Sequence, residues 1–83
     1  MKAQSFPKPN KKLLISLGKE ISGRRKAKRL TVEEFAELCD LHSKYIQTIE
    51  AGKRNISITV FLRLSNALRI SPLKLLKSVL SNG

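Results

Sequence analysis

Cysteine is nearly absent: Cys39 stands alone in 83 residues, so no internal disulfide forms and a disulfide-stapled secreted scaffold is excluded. Glycine is sparse as well. The four glycines are isolated, which leaves no glycine-rich phosphate loop. Long apolar runs are missing. No stretch approaches the ~18 residues of a membrane span, and Leu13-Leu14-Ile15 falls short of the ~7–15-residue core of a signal peptide. Acidic residues are few, six against seventeen Lys and Arg, which leaves a net charge of +11 and a pI near 10.5. What is present is a 41% hydrophobic fraction, enough for one small packed core in a chain too short for two. These limits describe a small basic globular protein, expected to be cytoplasmic, whose partner is polyanionic. Nucleic acid is the first candidate.

The charge is unevenly placed. Residues 1–29 carry ten basic side chains and one acid, Glu20, whereas residues 31–42 carry Glu33, Glu34, Glu37 and Asp40 with no base. Residues 43–83 return to seven bases against Glu50. An acidic island between two basic blocks suggests one element turned away from the polyanion while its neighbours face it. The plainer alternative is charge that serves only solubility.

Punctuation divides the chain into an arm and five helical segments. Residues 1–10, with Pro7, Pro9 and Asn10, read as a flexible basic arm, and residues 11–83 as a single domain. Leu14, Leu17, Ile21, Arg25 and Lys28 recur at spacings of three and four and predict a helix from Lys11 to Lys28 with one buried stripe. Gly23 weakens that helix by ~1 kcal/mol relative to Ala. Thr31 with Glu34 forms a capping box opening a helix at about 32–39, whose inward positions read as Phe35, Leu38 and Cys39. Asp40 suits the left-handed conformation that ends such a helix. A third helix fits His42 or Ser43 to Ala51, with Gly52 as terminator. Ser57 opens a fourth, carrying Val60, Phe61, Leu64 and Leu68 inward, and Ser71-Pro72 opens a fifth through about Leu80. No segment alternates like a strand, so the expected class is all-α.

The second and third helices, joined by about three residues, have the layout of a helix-turn-helix. On the third, Tyr45, Ile46 and Ile49 must pack inward, which turns Ser43, Lys44, Gln47 and Thr48 toward solvent or a groove. Such side chains suit base edges: Lys donates to guanine O6 and N7, Gln pairs with adenine, and Thr offers a hydroxyl plus a methyl for thymine. Taken alone, the same face also fits ordinary solvation.

The runs Leu30-Thr31-Val32-Glu33-Glu34-Phe35-Ala36 and Tyr45-Ile46-Gln47-Thr48-Ile49-Glu50-Ala51-Gly52-Lys53-Arg54 resemble the lambda-repressor-like (Cro/XRE-type) helix-turn-helix family. Ser57, Phe61, Leu64, Ala67-Leu68 and Ile70-Ser71 extend the likeness from about Leu17 to Leu76. The resemblance implies a compact five-helix domain that binds operator double-stranded DNA as a homodimer, with no cofactor, metal or small-molecule ligand. Ser43, Lys44 and Thr48 then match the main base-reading positions, beside Gln47. Lys53, Arg54 and Asn55 fall where the family contacts the sugar-phosphate backbone, and Tyr45 adds its hydroxyl to a phosphate. Thr31 opens the helix whose N-terminus holds another phosphate, although Val32 replaces the glutamine usual there and leaves that contact to backbone N–H groups. Arg29, Asp40 and Arg69 stand where the family favours glycine, implying for the arginines a left-handed residue or a changed turn. His42 occupies the usual Ser/Thr cap, which shifts the expected cap to Ser43.

The resemblance also pairs Arg25 with Glu50, and the residues support this independently. Arg25 lies in an apolar stripe where a charge needs a partner, and Glu50 is the only acid after Asp40. Lys2, Lys8, Lys11 and Lys12 read either as an arm reaching an adjacent groove or as a solubilising tail. In the last helix, Leu73, Leu75, Leu76, Val79 and Leu80 exceed what one inward face needs. Leu73, Leu76, Val79 and Leu80 form either a dimer interface or the closure of the core.

Catalysis finds no constellation. Cys39 and His42 lack the further ligands of a zinc site, and Cys39 falls in a buried stripe. The leading expectation is a sequence-specific transcription regulator, of the kind found among restriction–modification controllers and phage repressors. The rival is an antitoxin-like module that neutralises a partner protein and binds DNA secondarily. A neighbouring toxin or restriction-enzyme gene separates the two.

Overall fold

The computed structural model describes residues 10–81, and these form five helices: α1 Lys11–Ala27, α2 Val32–Cys39, α3 Ser43–Glu50, α4 Ile58–Ala67 and α5 Pro72–Ser81. The expected basic arm, Lys2 and Lys8 included, lies outside the described residues except for Asn10. Asn10 caps α1, its side chain accepting from Leu13 N–H at 3.1 Å. Lys11 and Lys12 accordingly sit in the first helical turn rather than in an arm.

Four of the five helices start where a side chain satisfies a free backbone N–H. Thr31 Oγ1 accepts from Glu34 N–H at 3.0 Å while Glu34 Oε1 accepts from Thr31 N–H at 2.8 Å, the full capping box. That backbone hydrogen bond holds the Glu34 carboxyl below its usual pKa. Ser57 and Ser71 accept from Val60 and Lys74 N–H, at 3.1 Å in each case. The cap of α3 differs from expectation. His42 is the N-cap residue with no side-chain hydrogen bond, and Ser43 is already helical, too far along to serve as the cap.

The ends of the first four helices share one device. Arg29, Asp40, Gly52 and Arg69 all take positive φ, at 58°, 56°, 75° and 55°. The residue after each, namely Leu30, Leu41, Lys53 and Ile70, donates its N–H to the carbonyl five residues back. This is the Schellman closure, and it uses glycine only once. The two arginines are left-handed residues, not changed turns. Their conformational cost, about 1–2 kcal/mol each, is offset as Leu30 and Ile70 fold back against the core.

The core centres on Phe35, Ile21, Ile46, Ile49, Leu64 and Leu75, all essentially inaccessible. The long α1 packs on α3 and α5, α2 on α3 and α4, and α4 on α5. Ser16 Oγ donates to the Val79 carbonyl, and Arg24 donates to Glu20 at 2.6 Å and Ser78 Oγ at 3.1 Å, so polar contacts also fasten α5 to α1. Four expected core positions differ. Lys28 is an exposed cap residue past the end of α1, Leu38 is 59% exposed because an eight-residue helix turns it outward, and Val60 and Phe61 are only half-buried at the start of α4.

Candidate nucleic-acid interface

The short α3 has two unlike faces. Ile46 and Ile49 are buried and Tyr45 is half-buried against the core, which leaves Lys44 and Gln47 fully outward with Ser43 and Thr48 half-exposed beside them. The four residues expected to read bases therefore share one surface.

Two contacts fix how that surface is presented. Glycine at position 18 lets α1 run directly beneath the end of α3, since a Cβ there would lie 2.5 Å from the Glu50 carbonyl oxygen and 2.6 Å from that of Ile49. Next to this approach, Arg25 grips Glu50 through two hydrogen bonds, Nε to Oε2 at 2.7 Å and Nη2 to Oε1 at 3.0 Å. Its third donor, Nη1, reaches the Leu30 carbonyl at 2.8 Å. One guanidinium thus joins α1, the turn before α2 and the end of α3. The Glu50 carboxylate raises the Arg25 pKa further, against the opposing effect of burial. The expected ion pair is present.

Beyond α3 the chain turns at Gly52, where a Cβ would meet Ile15 Cα at 2.9 Å. This close turn carries Lys53, Arg54 and Asn55, all exposed, alongside Lys11 in one open groove. Arg54 does not simply project into solvent. Its guanidinium carbon lies 5.1 Å from the centroid of the Tyr45 ring, and its Nε–H reaches Thr48 Oγ1 at 3.4 Å. Thr48 in turn donates to the Tyr45 carbonyl at 2.7 Å. On the α2 side, Thr31 is exposed at the helix N-terminus, while Val32 packs against the core. Sequence reasoning missed Gly18, which no local pattern marks. It also missed Arg63 of α4, whose Nη1 donates to the Asp40 carbonyl at 3.2 Å and braces the α2–α3 turn.

Residues 21–75 match the helix-turn-helix (HTH_3) family model. The chain belongs to the Cro/XRE-type helix-turn-helix family of DNA-binding regulators. It is 43% identical over 47 residues to the control protein C.BamHI of Bacillus amyloliquefaciens, covering 57% of this chain and 58% of that protein. Against the control protein C.SmaI of Serratia marcescens it is 33% identical over 60 residues, covering 72% of this chain and 71% of that protein. Among solved structures, the restriction-modification controller protein C.AhdI of Aeromonas hydrophila superposes with a TM-score of 0.72 at 37% identity. That match covers 75% of this chain and 94% of C.AhdI.

Outside the helix-turn-helix itself, the expected dimer residues divide. Leu73, Leu76 and Leu80 are 64%, 41% and 61% exposed, but Val79 is 2% exposed and belongs to the core. The seating of α5 against α1 and α4 decides this: with Leu75 inward, Val79 four residues on shares its stripe, whereas 73, 76 and 80 lie on the outward one. Ile58 and Leu62 of α4, 72% and 45% exposed, add apolar surface that sequence reasoning did not assign, and Ile58 and Leu76 line one groove. Cys39, next to the turn of the helix-turn-helix, is 2% exposed, and burial pushes its thiol pKa up to about 11. Among the described residues no three of His, Cys, Asp and Glu gather as a metal site, and no helix is long and apolar enough to cross a membrane.

Proposed function

We propose that this helix-turn-helix protein is a sequence-specific transcription regulator that binds operator DNA as a homodimer, a controller in the sense of its relatives' names. The observation that carries this reading is the polar outer face of α3. It is anchored by Gly18 and the Arg25–Glu50 pair and flanked by Lys53, Arg54 and Asn55. In this reading Ser43, Lys44, Gln47 and Thr48 face base edges in the major groove. Lys53, Arg54, Asn55, the Tyr45 hydroxyl and the α2 N-terminus at Thr31 hold phosphates, which position the helix without specifying sequence. A second copy covers Leu73, Leu76 and Leu80 and sets two recognition helices about 34 Å apart, one turn of DNA.

The test is a gel shift with duplex DNA from upstream of the protein's own gene, in excess competitor and rising salt. A complex that survives competitor and weakens with a log–log salt slope of about −0.9 per neutralised phosphate is expected. Lys44→Ala relaxes base preference in the same assay, while Arg54→Ala shallows the slope by about one unit. Equal affinity for operator and competitor DNA overturns the reading.

A further inference from the structure

Lys44 and Gln47 carry their polar groups at the ends of outward side chains, but Thr48 does not offer its hydroxyl in the same way. A threonine hydroxyl has one hydrogen to donate and two lone pairs. Here the hydrogen goes to the Tyr45 carbonyl at 2.7 Å, a bond within α3 itself. One lone pair receives Arg54 Nε–H at 3.4 Å, and the same guanidinium is steadied over the Tyr45 ring at 5.1 Å. Tyr45, Thr48 and Arg54 therefore form a linked set in which the hydroxyl hydrogen is committed within the helix and one lone pair is taken by Arg54. Two heavy atoms branch from the threonine Cβ, so committing one to these bonds leaves the other, the γ-methyl, as the group for an outside partner.

We infer that Thr48 reads DNA through its γ-methyl, and that the base it selects is thymine, recognised by the 5-methyl group in the major groove. Thymine alone among the four bases presents a methyl there, and methyl against methyl needs no hydrogen-bond donor. A hydroxyl whose hydrogen is committed cannot donate to guanine N7 or O6, so guanine is disfavoured at that position. Arg54 acts as a positioning residue as well as a phosphate contact, because its Nε–H takes a lone pair of the threonine oxygen. The inference rests on α3 being the recognition helix.

Selection of bound duplexes from a random library gives the preferred site, and each thymine in it is then replaced by deoxyuridine, which lacks only the methyl. At one thymine in each half-site the replacement weakens the wild-type protein about fourfold, the worth of one buried methyl-sized group. Thr48→Val, which keeps the methyl and discards the hydroxyl, retains that dependence on the thymine methyl whatever its overall affinity. Thr48→Ser, which does the reverse, binds thymine and uracil versions alike. Circular dichroism confirms that both variants remain helical. Arg54→Lys, which keeps the charge and removes Nε–H, reduces the thymine dependence more than the salt slope. A preferred site with no methyl-sensitive thymine, or methyl dependence that survives in Thr48→Ser, overturns the inference while leaving the regulator reading intact. A selection that enriches no sequence overturns the regulator reading, and this inference with it.

Discussion

Arg25 shows what a single side chain can hold. Its three donating nitrogens reach both Glu50 carboxylate oxygens and the Leu30 carbonyl, and the ion-paired side chains are only 10% and 11% exposed. Glu50→Ala would leave a buried guanidinium with one carbonyl for company. Breaking a buried pair on one side costs about 3–5 kcal/mol. In a domain of this size that lowers the melting temperature by roughly 12 °C or more. Thermal unfolding followed by circular dichroism measures this, and a fall of less than about 5 °C would show that solvent already screens the pair. The pair was legible in the sequence because the family resemblance implies it and because a charge inside an apolar stripe demands a partner, which Glu50, next to the inward-facing Ile49, can supply. The left-handed arginines were only half legible. A positive φ at Arg29 or Arg69 is disfavoured locally, and what permits it is the fold-back of Leu30 and Ile70 onto a core assembled from distant residues.

Among the elements, the glycines of α1 separate what propensity decides from what packing decides. Both Gly18 and Gly23 weaken the isolated helix relative to alanine by about 1 kcal/mol. Apart from the surrounding backbone of its own helix, Gly23 has no atom within 4 Å of where a Cβ would stand, so Gly23→Ala should stabilise the protein by about 0.5–1 kcal/mol. Gly18 abuts the backbone of Ile49 and Glu50, and Gly18→Ala forces α1 and α3 apart. Its helix-propensity gain is overwhelmed: overpacking of this kind costs about 1–3 kcal/mol. Urea unfolding of the two variants measures both, and operator affinity should fall with Gly18→Ala alone, because only that change tilts α3. Equal stabilisation by the two substitutions would refute the close contact. The helices themselves were readable from period and caps, since Thr31, Ser57 and Ser71 announce their own starts through short-range hydrogen bonds. Gly18 was not readable, because its role lies wholly in a neighbour about thirty positions along the chain. Leu38 misled for the same reason: helical period placed it beside Phe35, but α4 and α3 cover only the narrower stripe of Phe35, Ala36 and Cys39.

For the whole molecule, what remains is how apolar surface outside the core is used. Leu73, Leu76 and Leu80 run along one side of α5, Ile58 of α4 lines one groove with Leu76, and Leu62 of α4 is exposed as well. Five exposed large aliphatic side chains on these two helices of so small a basic domain exceed the scattered exposure a monomer ordinarily carries. The surplus of leucines was visible in the sequence. Its division was not, since only the seating of α5 against α1 and α4 shows that Leu75 and Val79 face inward and their neighbours outward. Leu73 and Leu80 are exposed enough for their replacement by aspartate to leave the core untouched. The double variant Leu73→Asp, Leu80→Asp should therefore unfold at nearly the wild-type temperature and sediment as a monomer, whereas the proposed homodimer predicts a dimer for the wild type. On a two-half-site operator its affinity should drop by roughly 100-fold or more, because the second recognition helix is no longer delivered by the first. On a single half-site it should bind as the wild type does, since α3 and the proposed phosphate contacts are unaltered. A variant that still dimerises would place the interface elsewhere. A wild type that stays monomeric at tens of micromolar and fills its half-sites independently would remove the homodimer from the mechanism altogether.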